Sequence, residues 1–69
     1  MTTKTGNTIK QARKSGGFTQ QDLAFLSGLS EPQIARIETG RRDLSEDEAE
    51  MIAKILMIDP ATITEADHD

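Results

Sequence analysis

Arg36, Arg41 and Arg42 fall within seven residues of one another, and Gln20, Ser30, Glu31, Pro32 and Gln33 lie upstream, interleaved with apolar residues. Arginine, glutamine and serine are the donors that hold phosphate oxygens and base edges, so this set points to binding chemistry. Catalytic chemistry finds far less to work with. A nucleophile needs a base at hydrogen-bond distance, and the single histidine, His68, sits in the terminal stretch EADHD. Asp67, His68 and Asp69 are three adjacent tail residues with no outer shell to orient them, which seldom makes a metal site. Glu46, Asp47, Glu48 and Glu50 have the spacing of a solvated helix start. There is no glycine-rich phosphate loop, and no cysteine for a thiolate zinc site or a disulfide. No catalytic, cofactor-binding or metal-binding residue is expected, and the chain does not read as an enzyme.

The charge is divided along the chain. Residues 1–42 hold seven basic side chains against three acids, and residues 43–69 hold nine acids against Lys54 alone, within a net charge of −4. Such asymmetry suggests one half that faces a polyanion and another that meets solvent or a protein partner. Acids at Glu46, Asp47, Glu48 and Glu50 also favour a helix N-terminus on their own account. A chain of 69 residues makes one domain near the lower limit for a self-sufficient core. A partner subunit is one way to complete it. With no membrane-length apolar run, no signal-peptide pattern and no cysteine, the expectation is a cytoplasmic protein.

Capping patterns divide the chain into helices. Ile9, Ala12 and Arg13 share a face of a first helix over 5–14, ended by Ser15-Gly16-Gly17 and preceded by a loose polar arm. Thr19-Gln20-Gln21-Asp22 opens a second helix to about Leu26, and Gly28 suits a left-handed stop. Ser30-Glu31-Pro32-Gln33 opens a third to about Glu38, with Pro32 in the first turn where its missing N–H costs little. Ser45-Glu46-Asp47-Glu48 opens a fourth to about Met57. Asp59-Pro60 caps a short fifth that carries Ile63. Nothing alternates with period two, so the fold class is all-α, a compact bundle of four to five helices. The single domain spans 1–69, with its core at about 7–64 and flexible termini. Leu23, Ala24, Leu29, Ile34 and Ile37 form one apolar set. Ile9, Phe18, Leu44, Ala49, Ile52, Ala53, Leu56 and Ile58 supply the facing surfaces.

Helices two and three have the spacing of a helix-turn-helix. Ala24 is small where the next helix crosses, Gly28 turns the chain, and Leu29, Ile34 and Ile37 lock the pair at a steep angle. Arg13, TQQDLA (19–24), SGLS (27–30), IARIETGRR (34–42) and AKIL (53–56) together resemble the Cro and phage-repressor (XRE) family, over roughly Ile9 to Ile63. The resemblance implies a lambda-repressor-like domain that binds operator DNA, usually as a dimer. It places Ser30, Glu31, Pro32 and Arg36 on DNA-facing positions, with Gln33 beside them, within reach of phosphate. It implies phosphate contacts from Gln20, which also braces the third helix, and from Arg41 and Arg42. It implies an internal salt bridge between Arg13 and Glu38, which assigns Arg13 to structure first.

Two features depart from the family pattern. Glu31 repels phosphate, but it can accept from cytosine N4, bond the amide of Gln20, or simply favour a helix first turn. Phe25, Leu26, Met51, Ile55 and Met57 are apolar in excess of what one buried face needs, and Met57 stands where glycine commonly ends this helix. A homodimer through helices four and five, around Ile55, Met57 and Ile63, is one expectation, with Phe25 contacting a different protein. The leading reading is a sequence-specific regulator on double-stranded DNA. The alternative is a protein-interaction module, an antitoxin or adaptor, that uses the acidic C-terminal half.

Overall fold

The computed structural model describes residues 4–64. Five helices follow one another: α1 (Lys4–Ser15), α2 (Gln20–Ser27), α3 (Glu31–Glu38), α4 (Glu46–Leu56) and α5 (Ala61–Thr64). No strand occurs among the described residues. His68 and its flanking acids lie outside them.

Each of the three expected capping boxes forms. Thr19, Ser30 and Ser45 sit in extended backbone, and their hydroxyls accept from the N–H of Asp22, Gln33 and Glu48. The side chains of Asp22, Gln33 and Glu48 accept from the cap N–H in return. Two otherwise orphaned donors are satisfied at each start. The Thr19 N–H also holds the Asp22 carboxyl below the usual carboxylate range. Gly28 adopts φ 78° at the end of α2, so the chain reverses there without the Cβ penalty. The α5 start is fixed by Asp59, whose carboxylate accepts from the Ala61 N–H at 3.0 Å.

Ile9, Leu23, Ala24, Ile34, Ile37, Ala49, Ile52, Ala53, Leu56 and Ile63 form one buried cluster, with Phe18, Leu29, Leu44, Ile55 and Ile58 packed at its edge. Each helix contributes to it, which is how so short a chain assembles a core without aromatic bulk.

Two positions differ from the sequence expectation. The packed region begins before residue 7, because α1 starts at Lys4 and both Thr5 and Gly6 are buried. The Thr5 hydroxyl donates to the Ile63 carbonyl at 3.4 Å, joining the first helix to the last. Ile63 is itself a core residue, 2 % exposed, so it offers no surface to a dimer partner. Helix α5 is too short to have an inner and an outer apolar face, and its one large apolar side chain turns inward.

Met57 ends α4 at φ 60° and ψ 43°, the left-handed region that favours glycine. Its side chain is 90 % exposed, so no packing offsets the strain. At protein concentrations low enough to keep the chain monomeric, Met57→Gly is expected to raise stability by about 0.5–1 kcal/mol despite glycine's entropy cost, read as an upward shift of the urea midpoint. A lowered midpoint would show that the side chain is held in contacts that offset the strain.

Candidate nucleic-acid interface

Helix α3 divides by face. Ile34, Ile37 and Glu38 are buried, whereas Glu31, Pro32 and Arg36 are exposed and Ala35 is half-buried. Pro32 and Arg36 are four apart, one above the other on the helix. The outer face therefore offers an apolar ring, a guanidinium and, at the first turn, a carboxylate. Ser30 and Gln33 flank this face, but their side chains are engaged with each other's backbone, Ser30 N to Gln33 Oε1 at 2.9 Å and Gln33 N to Ser30 Oγ at 3.2 Å. Each keeps spare hydrogen-bonding capacity, the Ser30 O–H and the Gln33 amide NH₂.

A buried ionic network sets the height and angle of α3. Arg13 on α1 donates from Nε to Glu38 Oε2 at 2.6 Å and from Nη2 to Glu38 Oε1 at 3.2 Å. Its Nη1 donates to the Phe18 carbonyl at 2.9 Å, which fixes the turn before α2. Gln20, the first residue of α2, donates from Nε2 to Glu38 Oε1 at 3.0 Å. Three helices thus converge on one carboxylate at the C-terminal end of α3. The expected Arg13–Glu38 bridge is present. The Gln20 amide gives one N–H to Glu38 and none to Glu31, which keeps its second N–H for a phosphate and leaves Glu31 exposed at the mouth of the helix.

The loop after α3 carries the remaining cations. Arg41 is exposed, and its N–H donates to the Arg36 carbonyl at 2.8 Å, closing the helix end. Arg42 is half-buried and meets Glu48 of α4 with both ends of its fork, Nη1 to Oε1 at 3.0 Å and Nη2 to Oε2 at 2.8 Å. Glu48 is thus paired and not the solvated acid that its helix-start spacing suggests, because the pairing depends on the path of the loop between α3 and α4. The Arg42 fork is the main cause that pulls the Glu48 carboxyl from its usual 4.5 down to about 2, aided by the Ser45 N–H. A depressed carboxyl stabilises the fold fully above its unfolded value and loses that contribution as pH falls toward the folded one. Glu48→Gln is expected to cost about 0.5–1 kcal/mol at neutral pH. That difference from the parent should shrink on acidification from about pH 5 to about pH 2. Urea titrations of both proteins across this range check it.

Among the described residues no group of histidine, cysteine or carboxylate side chains could hold a metal ion. No described helix is long and apolar enough to cross a membrane. Phe25 at 85 % and Met57 at 90 % exposure are the two most uncovered large apolar side chains, with Leu26 and Met51 about half exposed.

The helix-turn-helix family profile matches residues 9–63. A search of curated protein sequences found no match. Among solved structures, the chain is similar to the restriction-modification controller protein C.AhdI from Aeromonas hydrophila, at 33 % identity and a TM-score of 0.81, over 87 % of this chain and 91 % of that one. It is similar to the N-terminal DNA-binding domain of SinR from Bacillus subtilis, at 26 % identity and a TM-score of 0.81, over 94 % and 96 % of the two chains. The P22 c2 repressor protein, solved with a synthetic operator, shares the fold at 22 % identity and a TM-score of 0.83, over 91 % and 96 %. With the matched profile covering most of the chain and the Arg13–Glu38 pair, the capping boxes and the Gly28 turn all in place, the protein belongs to the helix-turn-helix family of Cro and phage-repressor (XRE) type.

Proposed function

We propose that the protein is a sequence-specific transcription regulator that binds operator DNA as a homodimer, with α3 in the major groove. The observation that carries this reading is the outer face of α3, where Pro32 and Arg36 stand clear of the core while Glu38 anchors the inner face to α1 and α2. A helix braced in this way can enter a groove about 12 Å wide without losing its register. SinR, a structural relative at 27 % identity, has been solved in complex with DNA.

Arg36 suits guanine O6 and N7, Pro32 a thymine methyl, and Glu31 a cytosine N4. Ser30 and Gln33 approach from the helix start. Gln20, Arg41 and Arg42 hold phosphates and fix position. The acidic residues from Asp43 onward limit non-specific affinity, because any sequence can supply counterion release. The dimer presents two α3 helices about 34 Å apart. Its interface draws on Met57 and the half-buried Ile55, without Ile63.

Anisotropy titrations of a bound duplex test the division of labour. Arg41→Ala is expected to weaken binding to all sequences alike and to lower the salt slope by about 1. Arg36→Ala is expected to cost about 1–3 kcal/mol at the cognate sequence and to relax preference at one base pair. Equal losses on cognate and scrambled duplexes for both variants would remove α3 from base reading.

A second reading rests on the exposure of Phe25 and Met57. In it, the protein is an interaction module, an antitoxin or adaptor, whose acidic half meets a protein. A triple Arg36/Arg41/Arg42 alanine variant that loses DNA but retains that partner would favour it.

A further inference from the structure

We propose that Glu48 is a positioning residue for DNA binding, holding Arg42 so that a second edge of its guanidinium is presented to a phosphate. This rests on the DNA-binding reading above.

A guanidinium has two edges that donate in pairs, an end edge made by Nη1 and Nη2 and a side edge made by Nε and Nη2. Arg42 gives its end edge to Glu48, at 3.0 and 2.8 Å, and a further Nη1 hydrogen to the Asp43 carbonyl at 3.3 Å. Its Nε has no partner among the described residues. No side-chain nitrogen among the described half-buried and buried residues is both unpartnered and sealed from solvent, so this Nε reaches water. The side edge, Nε with the second Nη2 hydrogen, is therefore a fixed two-point donor whose spacing matches two oxygens of a phosphate.

Arg13 makes the contrast. It spends its side edge on Glu38 and its Nη1 on Phe18, so every edge is turned inward. The two arginines divide the work, one building the core and one prepared for a ligand. Glu48 is in turn fixed, because its Oε1 accepts from the Ser45 N–H at 3.1 Å in the α4 capping box. The chain of restraint runs from the α4 backbone through Glu48 to Arg42, four residues beyond the end of α3.

Two effects oppose each other, and their signs differ. Removing an acid near a polyanion should tighten binding by simple charge. That effect is reduced here, since the side edge adjoins the end edge and the guanidinium that would meet the phosphate already neutralises the Glu48 carboxylate. Removing the restraint frees a long side chain with several rotatable bonds, which must then be ordered again on binding. Positioning is expected to win.

Glu48→Gln separates pairing from helix capping, because glutamine also completes a capping box. Duplex affinity is measured against salt for the parent, Glu48→Gln, Arg42→Ala and the double variant, on a duplex that the parent binds. Glu48→Gln is expected to weaken binding about threefold to tenfold although it makes the protein less negative. Arg42→Ala is expected to lower the salt slope by about 1. In the Arg42→Ala background, Glu48→Gln is expected to cause no weakening and a slight gain. Tighter binding by Glu48→Gln in the parent background would overturn the proposal and make Glu48 a competitor that withholds Arg42. Equal weakening with and without Arg42 would also overturn it, by assigning Glu48 a structural role alone. Failure of the parent to bind any duplex would overturn the DNA-binding reading and this proposal with it, whereas either earlier outcome leaves that reading intact.

Discussion

Glu38→Ala is expected to lower the stability of the fold by about 3–5 kcal/mol, the range for breaking a buried ion pair by removing one partner. The Glu38 side chain is 2 % exposed and the Arg13 side chain 9 %. Alanine would leave the Arg13 guanidinium facing a cavity with its Nε and Nη2 donors unmet, and would release the Gln20 amide as well. Domains have about 0.05–0.15 kcal/mol of stability per residue, about 3–10 kcal/mol for a chain of this length, so the loss removes from a third to all of it. Urea denaturation, or the far-ultraviolet signal at room temperature if no folded baseline remains, reads the effect. Replacing both partners with apolar residues, Arg13→Met with Glu38→Leu, is expected to be much milder than Glu38→Ala, because no charge is then stranded. A Glu38→Ala protein within about 1 kcal/mol of its parent would show that the network is not the brace of α3.

Gly6→Ala is expected to destabilise the fold by about 1–3 kcal/mol, although alanine is the better helix former by about 1 kcal/mol. The reason is a backbone meeting a backbone. A methyl on Gly6 would press on the Glu38 carbonyl oxygen and lie 2.6 Å from that of Ile37. Neither oxygen belongs to a side chain that can swing away, so α1 must lift from the end of α3. That shift also pulls Arg13 against Glu38, since both lie on the same two helices. The melting temperature is expected to fall by several degrees, at about 4–8 °C per kcal/mol for a domain of this size. A rise would mean that helix propensity outweighs the close approach, and that α1 packs less tightly on α3 than described.

These two sites show where sequence reading reaches its limit. The helix starts were legible because Thr19, Ser30 and Ser45 each precede a matching side chain three residues on, and both partners of a capping box lie in one short string. Arg13 and Glu38 are 25 residues apart and were paired only through the family resemblance. Gly6 sits in a polar stretch with no apolar signal, and it is buried because it lacks a side chain, so the pattern starts the core only at about residue 7. Ile63 is buried where an outward position is equally compatible with the sequence, because a single isoleucine on a one-turn helix has no periodicity to orient it. The Arg42–Glu48 pair spans the loop between α3 and α4, and its geometry depends on the turn at Gly40 and the bends at Arg41 and Arg42, which local spacing does not specify. On α3 itself, the family resemblance puts Glu31, Pro32 and Arg36 outward, and the structure gives the reason, since burying Ile34 and Ile37 leaves that face to solvent.

The central claim is that α3 reads a base sequence. Selection from a random pool of duplexes, run with the parent and with Arg36→Ala at two salt concentrations, tests it most directly. The account predicts an enriched sequence with two-fold symmetry and half-sites about one helical turn apart. That sequence should persist at the higher salt and lose preference at one base pair in each half-site when Arg36 is replaced. Binding that enriches no sequence and vanishes at moderate salt would contradict it, leaving the helix-turn-helix as a scaffold for a protein surface.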